Sequence, residues 1–352
     1  MTPIGEGTME VASGAYQLYV GVDVAADTFT ASWLAPGGAP TVPCTGEQTP
    51  AGYAALQRRL RGTAVAPAET LVVLEATGNY WVALAVALHE VGYRVAVVNP
   101  RQAHHFAKAQ LRRAKTDALD AQDLARLAAA LHPAPWTPPP AVYHEVRQRL
   151  VARDGLLAMR TQARNQRHAL LQWPVVVEGV RRHLDELIAD LDRRIAALEA
   201  EIAAVLKESV WAESLACLTS APGIGLVTAA WLLVSTLNFA LDTGPEALTA
   251  YAGLAPMPRE SGRSVRGRPR IGHDGNGRLR TALYMATLSA ARYNPAITAF
   301  HDRLRAAGKP PKVARCAAAR KLLHLAWALG TKQRRFDPSH PHHHDAASDH
   351  AA

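Results

Sequence analysis

Cysteine is scarce in this sequence. The 352 residues contain three cysteines, which are far apart and show no CxxC spacing: Cys44, Cys217 and Cys316. This pattern argues against a disulfide framework and against a zinc ribbon. It is typical of proteins from a reducing compartment, so we expect a cytoplasmic protein.

Long apolar runs and a secretion signal are also missing. The most apolar stretch, residues 221–240, contains Pro222 and two glycines, whereas a membrane-spanning helix needs about 20 apolar residues. The opening residues, MTPIGEGTMEVASG, have no basic segment followed by an apolar one, so we expect no signal peptide. We therefore expect no membrane partner, and we expect residues 1–14 to be a disordered leader.

Negative charge is in deficit. Against 39 lysines and arginines the chain has 30 aspartates and glutamates, which leaves a formal net charge of +9. Such a surplus favours a polyanionic partner such as nucleic acid, because neutralised phosphates release their counterions. The length exceeds that of one typical domain and predicts two, each able to bury a core of its own.

Alternating strand and helix patterns fill residues 15–135. The segments LYVGVDV, TFTASWLA and PTVPCT predict three strands, of which the first two form a hairpin. A helix, a strand ending at Glu75, a second helix and another strand follow, and the pattern from Pro100 to about Ala130 is helical. This is the order of an α/β ribonuclease H-like (RuvC-like) domain, which is the fold we predict.

A proline-rich break at residues 132–141 leads into a helical linker, residues 136–208. The linker begins with a basic stretch whose arginines either lie against phosphates or face solvent. Its second half carries apolar residues spaced alternately by four and three: Leu184, Ile188, Leu191, Ile195, Leu198, Ile202 and Val205. Such heptads predict a coiled-coil hairpin or a dimer helix, and the alternative is one amphipathic helix packed on its own domain.

A mainly α domain is predicted for residues 209–330, followed by a disordered His-rich tail, residues 331–352. Within that domain, the segment LTSAPGIGLVTAAWLL has the form of a helix-hairpin-helix. Gly223 and Gly225 permit a tight turn, and the N–H groups at the start of the next helix are suited to holding a phosphate. The alternative is a purely structural turn.

Four carboxylates in the first domain are placed to act together. Asp23 and Glu75 each end an apolar run, whereas Asp117 and Asp120 are three apart in a helical segment and so project to the same side. Two Mg²⁺ ions would relieve their mutual repulsion and would stabilise the attacking and leaving oxygens of a phosphodiester. Taken singly, each acid is better explained as a helix cap, a loop residue or a solvated side chain.

A stretch of the last domain that is interspersed with glycines contains seven arginines but only two acids. The arginines are Arg259, Arg263, Arg266, Arg268, Arg270, Arg278 and Arg280. Such a loop is suited to following a nucleic-acid backbone, and the alternative is a flexible basic loop without a dedicated partner. Ser261 lies within it, but a serine hydroxyl needs activation to attack phosphate. Spacing alone therefore favours a turn residue, with Ser264 equally eligible.

Several of these segments resemble one known family. GVDVAADTF, LEATGNYW, VNPRQAHHFAKA and RAKTDALDAQDLARL resemble the RuvC-like catalytic domain of the DEDD transposases of the insertion-sequence 110 family, over residues 17 to about 130. AYAGLAP, the PxxxxSG pattern from Pro256 to Ser261, GNGRLRTALYMA and ARKLL resemble its C-terminal transposase domain. Where the family often reads ISKxGN, this sequence reads IGHDGN.

The resemblance implies a site-specific DNA recombinase that moves its own insertion element, with donor and target DNA as substrates in a bacterial nucleoid. It also implies a structured non-coding guide RNA, the bridge RNA. Ser261 is implied as the nucleophile that forms a phosphoserine link, and the four carboxylates as ligands of Mg²⁺. The acids and the serine lie in different predicted domains, so the active site would be composite, and the heptads favour a homo-oligomer, a dimer or a tetramer.

Two alternatives to this function remain open at the level of sequence. One is a metal-dependent endonuclease like the Holliday-junction resolvases, in which water attacks the phosphate and Ser261 is only a turn residue. The other is a nucleic-acid-binding protein without catalysis.

Overall fold

Two units are distinguished along the chain, Met1–Pro138 and Pro139–Ala352. The computed structural model describes residues 16–110, 116–240, 244–261, 265–271 and 275–339. For residues 257–261 and 265–270 it describes the backbone alone. No helix within these ranges is long and apolar enough to span a membrane.

In the described part of the first unit, five strands form a mixed sheet. They are β1 (Leu18–Val24), β2 (Thr28–Leu34), β3 (Cys44–Glu47), β4 (Thr70–Glu75) and β5 (Arg94–Val98). Their order is β3-β2-β1-β4-β5; β2 is antiparallel to both β1 and β3, and β4 is parallel to both β1 and β5. This arrangement is consistent with the predicted ribonuclease H-like domain.

Helices cover both faces of this sheet. They are α1 (Pro50–Arg61), α2 (Trp81–Glu90), α3 (Pro100–Ala109) and α4 (Asp117–Leu131). Side chains that alternate along β1 enter two separate cores. Val20 and Val22 pack in one core with residues of α1 and α2, whereas Tyr19 packs in the other with Leu124 and Leu127 of α4. Helix α4 therefore covers the face of β1 that carries the odd-numbered positions.

The third strand and the last helical region of this unit differ from the prediction. We predicted a strand over PTVPCT, but β3 begins at Cys44, because Pro40 and Pro43 offer no N–H group to a strand ladder. We predicted one helical region from Pro100 to about Ala130. The structure has α3 and α4 there, and residues 111–115 between them lie outside the described residues.

The second unit is mainly helical and contains a β-hairpin. Its helices are α5 (Ala141–Leu170), α6 (Glu178–Glu208), α7 (Ala212–Thr219), α8 (Leu226–Thr236), α9 (Pro245–Tyr251), α10 (Gly277–Tyr293), α11 (Pro295–Ala306) and α12 (Pro311–Lys332). In the hairpin, β6 (Pro256–Ser261) pairs antiparallel with β7 (Val265–Ile271). The arginine-rich stretch that we expected to be a loop therefore forms strands over much of its length.

Helices α5 and α6 are joined by a series of ion pairs between arginines and acids. The pairs are Arg149–Glu201, Arg153–Glu199, Arg160–Asp192, Arg164–Asp192 and Arg167–Asp185. Because the numbers of the acids fall as those of the arginines rise, the two helices run antiparallel. The basic stretch was expected to lie on phosphates or in solvent. These arginines pair with acids of the neighbouring helix, and Arg164 and Arg167 are also exposed to solvent.

The apolar heptad positions of α6 are used within the chain. Leu191, Ile195 and Ile202 are buried, and α6 contacts α5, α7 and α8. The structure therefore has a helical hairpin within one chain, with α6 packed on its own unit as well. A coiled-coil supercoil and a dimer helix stay predictions.

The chain remains bonded to the second unit beyond the end of α12. Gln333 Nε2 donates to Ser214 Oγ at 2.9 Å, and the backbone N–H of Phe336 donates to Ser220 Oγ at 2.7 Å. The disordered tail that we expected from residue 331 is therefore wrong for these positions. The leader, and the HPHHH cluster that begins at residue 340, lie outside the described residues.

Candidate functional site

Two of the predicted acids end adjacent parallel strands. The register of β1 and β4 sets Val22 opposite Leu74, so the next residues, Asp23 and Glu75, follow at the same edge of the sheet. Both side chains are half-buried. The carboxyl ends of parallel strands are a usual place for a site, because side chains there leave the core and meet in one crevice.

Gly21 lets helix α4 lie against the strand that carries Asp23. An ideal Cβ on Gly21 would be 2.2 Å from the backbone oxygen of Ala121 and 2.2 Å from the backbone nitrogen of Ala125. No side chain fits in that space, so α4 rests directly on the β1 backbone. Asp23 is two positions further along the same face of the strand, and this face is the one that α4 covers. Sequence reasoning missed Gly21, although a glycine inside an apolar strand signals close approach of another backbone.

Helix α4 begins at the other two acids. Thr116 is its N-cap, and the Thr116 Oγ1 accepts a hydrogen bond from the Leu119 N–H at 3.3 Å. Asp117 and Asp120 occupy the first turn, where unpaired N–H groups and the positive end of the helix dipole stabilise carboxylates. The capping role that would explain Asp117 by itself is therefore filled by Thr116.

The four carboxylates are electrostatically coupled. The pKa of Asp23 is raised from 3.8 to about 6, first by burial and then by the charges of Asp120, Asp117 and Glu75, while a hydrogen bond from the Val24 backbone lowers it. Like charges raise the pKa of a carboxyl group when they are close to it. The ends of two strands and the start of one helix thus bring the four predicted acids together.

Glu75 is oriented by a residue that sequence reasoning missed. The Thr77 Oγ1 donates a hydrogen bond to Glu75 Oε1 at 2.9 Å. Gly78, with a φ of +59°, then lets the chain turn. The sequence does contain a signal for this bond, a hydroxyl residue two positions after an acid that ends a strand. Short polar side chains commonly form hydrogen bonds with acceptors that are close to them in the chain.

The turn between α7 and α8 packs on the rest of its unit. Gly223 has a φ of +99°, and an ideal Cβ on it would lie 2.4 Å from the Ala290 Cβ. Asn294 Nδ2 donates to the Pro222 carbonyl at 3.2 Å. Backbone conformation and packing therefore account for Gly223, whereas Gly225, the N-cap of α8, has open space where its Cβ would be. The phosphate contact of this turn stays a prediction.

Ser261 is the last residue of β6 and lies at the tip of the hairpin. The register pairs it with Val265, and residues 262–264 between them, which include Arg263 and Ser264, lie outside the described residues. The two strands contain four more of the predicted arginines: Arg259, Arg266, Arg268 and Arg270. One element of structure thus carries the candidate serine and most of the candidate phosphate contacts.

The remaining two predicted arginines lie on α10. The Arg278 guanidinium is 5.5 Å from the centroid of the Trp231 ring, a cation–π arrangement. Arg280 Nη1 donates to the Ala252 carbonyl at 3.3 Å. Arg280 therefore holds the segment that leads into β6, and the nucleic-acid contacts of both arginines stay predictions.

Known proteins match this chain along most of its length. Residues 20–173 match a transposase family of the IS110 DEDD type, and residues 215–302 match the transposase IS116/IS110/IS902 family. The chain is 31% identical over 322 residues to the pilin gene-inverting protein of Moraxella bovis, covering 91% of this chain and 97% of that protein. The chain belongs to the IS110 family of transposases.

A further relative is an insertion element IS900 protein of 42 kDa from Mycobacterium paratuberculosis, 30% identical over 177 residues, or 50% of this chain and 43% of that protein. As an IS110-family transposase, the chain is an enzyme that cleaves and rejoins DNA. The four carboxylates fall within the first matched region and Ser261 within the second.

Transposases of the DEDD type depend on a divalent metal, and the donor set of this IS110-family transposase suits one in chemistry and charge. Carboxylate oxygens are ligands that Mg²⁺ prefers, and a cation would neutralise the repulsion that raises the pKa of Asp23. Within the described ranges, no group of three or more His, Cys, Asp or Glu side chains is arranged to hold an ion.

Proposed function

We propose that this transposase is a site-specific recombinase that moves its own insertion element through a serine-phosphate intermediate, with Mg²⁺ held by four carboxylates. The observation that carries the proposal is the coupling of Asp23 to Glu75, Asp117 and Asp120 at the carboxyl ends of β1 and β4. A cluster of like charges disfavours folding, so its presence at strand ends points to a bound cation.

The four acids are proposed as the metal ligands, and two ions suit this number of carboxylates. Asp23 and Glu75 come from strand ends, and Asp117 and Asp120 from the first turn of α4. When bound, the ions stabilise charge on the attacking and leaving oxygens of the phosphodiester. Thr77 keeps the Glu75 carboxylate oriented for this role.

Ser261 is proposed as the nucleophile. Its Oγ loses a proton and forms a bond to the scissile phosphorus, while the bond from phosphorus to one strand end breaks and that end takes up a proton as a hydroxyl. In the rejoining step a hydroxyl from another strand attacks the phosphoserine, which restores a phosphodiester and the free serine. The serine and the acids belong to different units, so the reaction requires residues of both units at one phosphate.

The hairpin arginines are proposed to hold the DNA backbone. Arg266, Arg268 and Arg270 occupy alternate positions of β7. An arginine paired with a phosphate releases counterions, so the affinity should fall as salt rises. The N-terminus of α8, open at Gly225, is a further place suited to a phosphate.

A structured guide RNA is proposed as a second nucleic-acid partner. The formal charge of +9 suits RNA as well as DNA, and base pairing by a guide would supply the sequence choice that backbone contacts do not provide. We expect one discrete RNA to co-purify with the protein. Ribonuclease treatment should abolish strand exchange, and adding the RNA back should restore it. Strand exchange that survives ribonuclease would exclude a guide.

Association into a dimer or tetramer is proposed through the turn between α5 and α6. Trp173 and Val175 are 66% and 79% exposed, and Leu171 and Val177 are exposed beside them. Large apolar side chains exposed close together in the chain suit a protein interface. Mass photometry should show an oligomer that Trp173→Asp shifts toward monomer, and a monomeric wild type would contradict the proposal.

A covalent-adduct assay tests the serine mechanism. Protein with its co-purified RNA is incubated with labelled DNA and Mg²⁺, denatured and separated by electrophoresis. Wild type should retain the label, Ser261→Ala should not, and Ser264→Ala, three residues away, should behave like wild type. An adduct that survives Ser261→Ala overturns the role of Ser261. Cut DNA without an adduct in wild type favours attack by water, as in a junction resolvase.

Substitution of the acids separates catalysis from binding. Asp23→Ala and Glu75→Ala should each abolish strand exchange while changing the Kd for DNA by less than about twofold, because a group that acts in the chemical step contributes little to ground-state binding. Asp27→Ala is the control, since Asp27 is exposed and close to Asp23 in sequence. Normal strand exchange in both acid variants would show that Asp23 and Glu75 have no role in catalysis.

A further inference from the structure

We infer that Asn276 is a positioning residue that joins the two ends of the β6–β7 hairpin and so sets the reach of Ser261. The inference rests on the proposed role of Ser261 as nucleophile. Tyr251 precedes β6 by five residues, and Asn276 follows β7 by five. The Asn276 backbone N–H donates to the Tyr251 carbonyl at 2.6 Å, and its Nδ2 donates to the Tyr251 hydroxyl at 3.1 Å.

Asn276 also connects the hairpin to the surrounding helices. Its Nδ2 donates to Ser235 Oγ at 3.2 Å, and Ser235 is a buried residue of α8. Its Oδ1 accepts from the Leu279 N–H at 3.1 Å, which makes Asn276 the N-cap of α10. Since Tyr251 ends α9, one side chain links three helices at the point where the hairpin enters and leaves them.

The close approach of the two hairpin ends depends on Gly275. It has a φ of +89°, and an ideal Cβ on it would lie 2.5 Å from the Tyr251 carbonyl oxygen and 2.8 Å from the Gly253 nitrogen. Arg280 adds a bond to the Ala252 carbonyl at 3.3 Å. The segment that leads into β6 is therefore held by Gly275, Asn276 and Arg280 together.

The tip of the hairpin is sensitive to changes at this base. Strand β6 has six residues, and at about 3.3 Å per residue its far end stands roughly 20 Å from its start. A rotation of about 5° at the base would move such a tip by nearly 2 Å, and a misplacement of about 1 Å at a reacting group can slow a reaction about 100-fold. Bonds at the base thus control where Ser261 lies.

Asn276→Ser tests this role. Serine keeps an oxygen that caps α10, but it has no amide nitrogen that reaches the Tyr251 hydroxyl and Ser235. Hydrogen exchange of the backbone amides in residues 256–271 should become about tenfold faster, because this region then opens more easily. Adduct formation at saturating DNA should slow by about 10-fold to 100-fold, while the Kd for DNA stays within about twofold of wild type.

Asn294→Ser is the matched control for stability and for hydrogen exchange. Asn294 is also an N-cap, of α11, and its Oδ1 and Nδ2 bond Ile297 and Pro222. Its substitution should lower the Tm by a similar amount and leave exchange in residues 256–271 unchanged. If Asn276→Ser does not fold, Tyr251→Phe removes the hydroxyl partner alone and should give a smaller increase in exchange.

The outcomes separate this inference from the proposed function. Hairpin exchange that is the same in wild type, Asn276→Ser and Tyr251→Phe overturns the inference, and so does faster exchange with an unchanged rate of adduct formation. If wild type forms no adduct at Ser261, the proposed function fails, and the exchange measurement still decides whether Asn276 holds the hairpin.

Discussion

The acid cluster of the first unit and the Ser261 hairpin of the second are built in opposite ways. Asp23 and Glu75 extend from central strands of a sheet with a core on each face, and α4 is pressed against Gly21. Ser261 stands at the far end of a two-stranded hairpin that is held at its base. Charges that repel one another need a rigid support, whereas the nucleophile that we propose must reach a large substrate and is better placed at the end of a hairpin.

Of the variants considered, Gly21→Ala should have the largest effect on strand exchange, because it should move the acids of α4 away from Asp23. The added Cβ would lie 2.2 Å from the backbone of α4, so the helix must shift at a cost of about 1–3 kcal/mol in the free energy of unfolding. Asp117 and Asp120 move with that helix, and strand exchange should fall below detection. Urea unfolding and a strand-exchange assay measure the two effects.

Gly155→Ala provides the control for that experiment. Gly155 lies inside α5 with no atom within 4 Å of an ideal Cβ, so alanine should stabilise the protein by about 0.5–1 kcal/mol. If Gly21→Ala instead matched wild type in both stability and strand exchange, close contact between α4 and β1 would not be what brings the acids together.

Thr77→Val should weaken the metal site without disturbing the hairpin. Valine keeps the shape of threonine but removes the hydroxyl that bonds Glu75, and the loss of such a supporting bond typically weakens metal binding by about 10-fold to 100-fold. Titration calorimetry with Mg²⁺ or Mn²⁺ measures the Kd. Thr63→Val is the control, since the Thr63 hydroxyl bonds the Leu60 carbonyl at the end of α1. Equal metal affinity in wild type and Thr77→Val would mean that Thr77 does not support metal binding by Glu75.

Asp23→Asn should stabilise the metal-free protein. The folded-state pKa of Asp23 is about 6 and its ordinary value is 3.8. Above pH 6 the folded protein therefore carries a charge that is disfavoured by burial and by the neighbouring acids, and the unfolded chain is free of both effects. The gain in Tm, about a few degrees, should be full above pH 6 and should shrink as the pH falls from 6 to 4, where Asp23 takes up a proton in the folded protein. Thermal unfolding in a chelator measures it, with Asp27→Asn as control. A gain that grows toward acid pH would contradict the coupling of the acids.

The smallest effect is expected for the arginines of α5. Arg153 is already paired with Glu199 at 2.6 Å, so Arg153→Ala should leave the Kd for DNA nearly unchanged, and a double-mutant cycle with Glu199→Ala should give about 0.2–1 kcal/mol. Arg266→Ala in the hairpin should weaken DNA binding and should lower the slope of log affinity against log salt by about 1. A slope lowered equally in both variants would mean that both arginines contact phosphates, and an unchanged slope in Arg266→Ala would contradict the proposed backbone contact.

More of the first unit's structure than of the second unit's could be predicted from the sequence. Alternation through Val20 and Val22 marked β1, and an apolar run ending at Glu75 marked β4. The hairpin was not predictable, because residues 256–271 are rich in proline, glycine and arginine and show no apolar alternation. The spacing of Asp117 and Asp120 indicated a shared direction, but it did not indicate which strand they would face.

By itself, the sequence determined the order of elements in the first unit and the candidate chemistry of the four acids and Ser261, because periodicity and functional groups are local properties. Only the tertiary structure decided that α4 lies on Gly21, that the arginines of α5 are paired, and that Asn276 joins the ends of the hairpin. Each of these depends on which surfaces fit together between residues at least 18 positions apart, and no local pattern in the chain specifies such a fit.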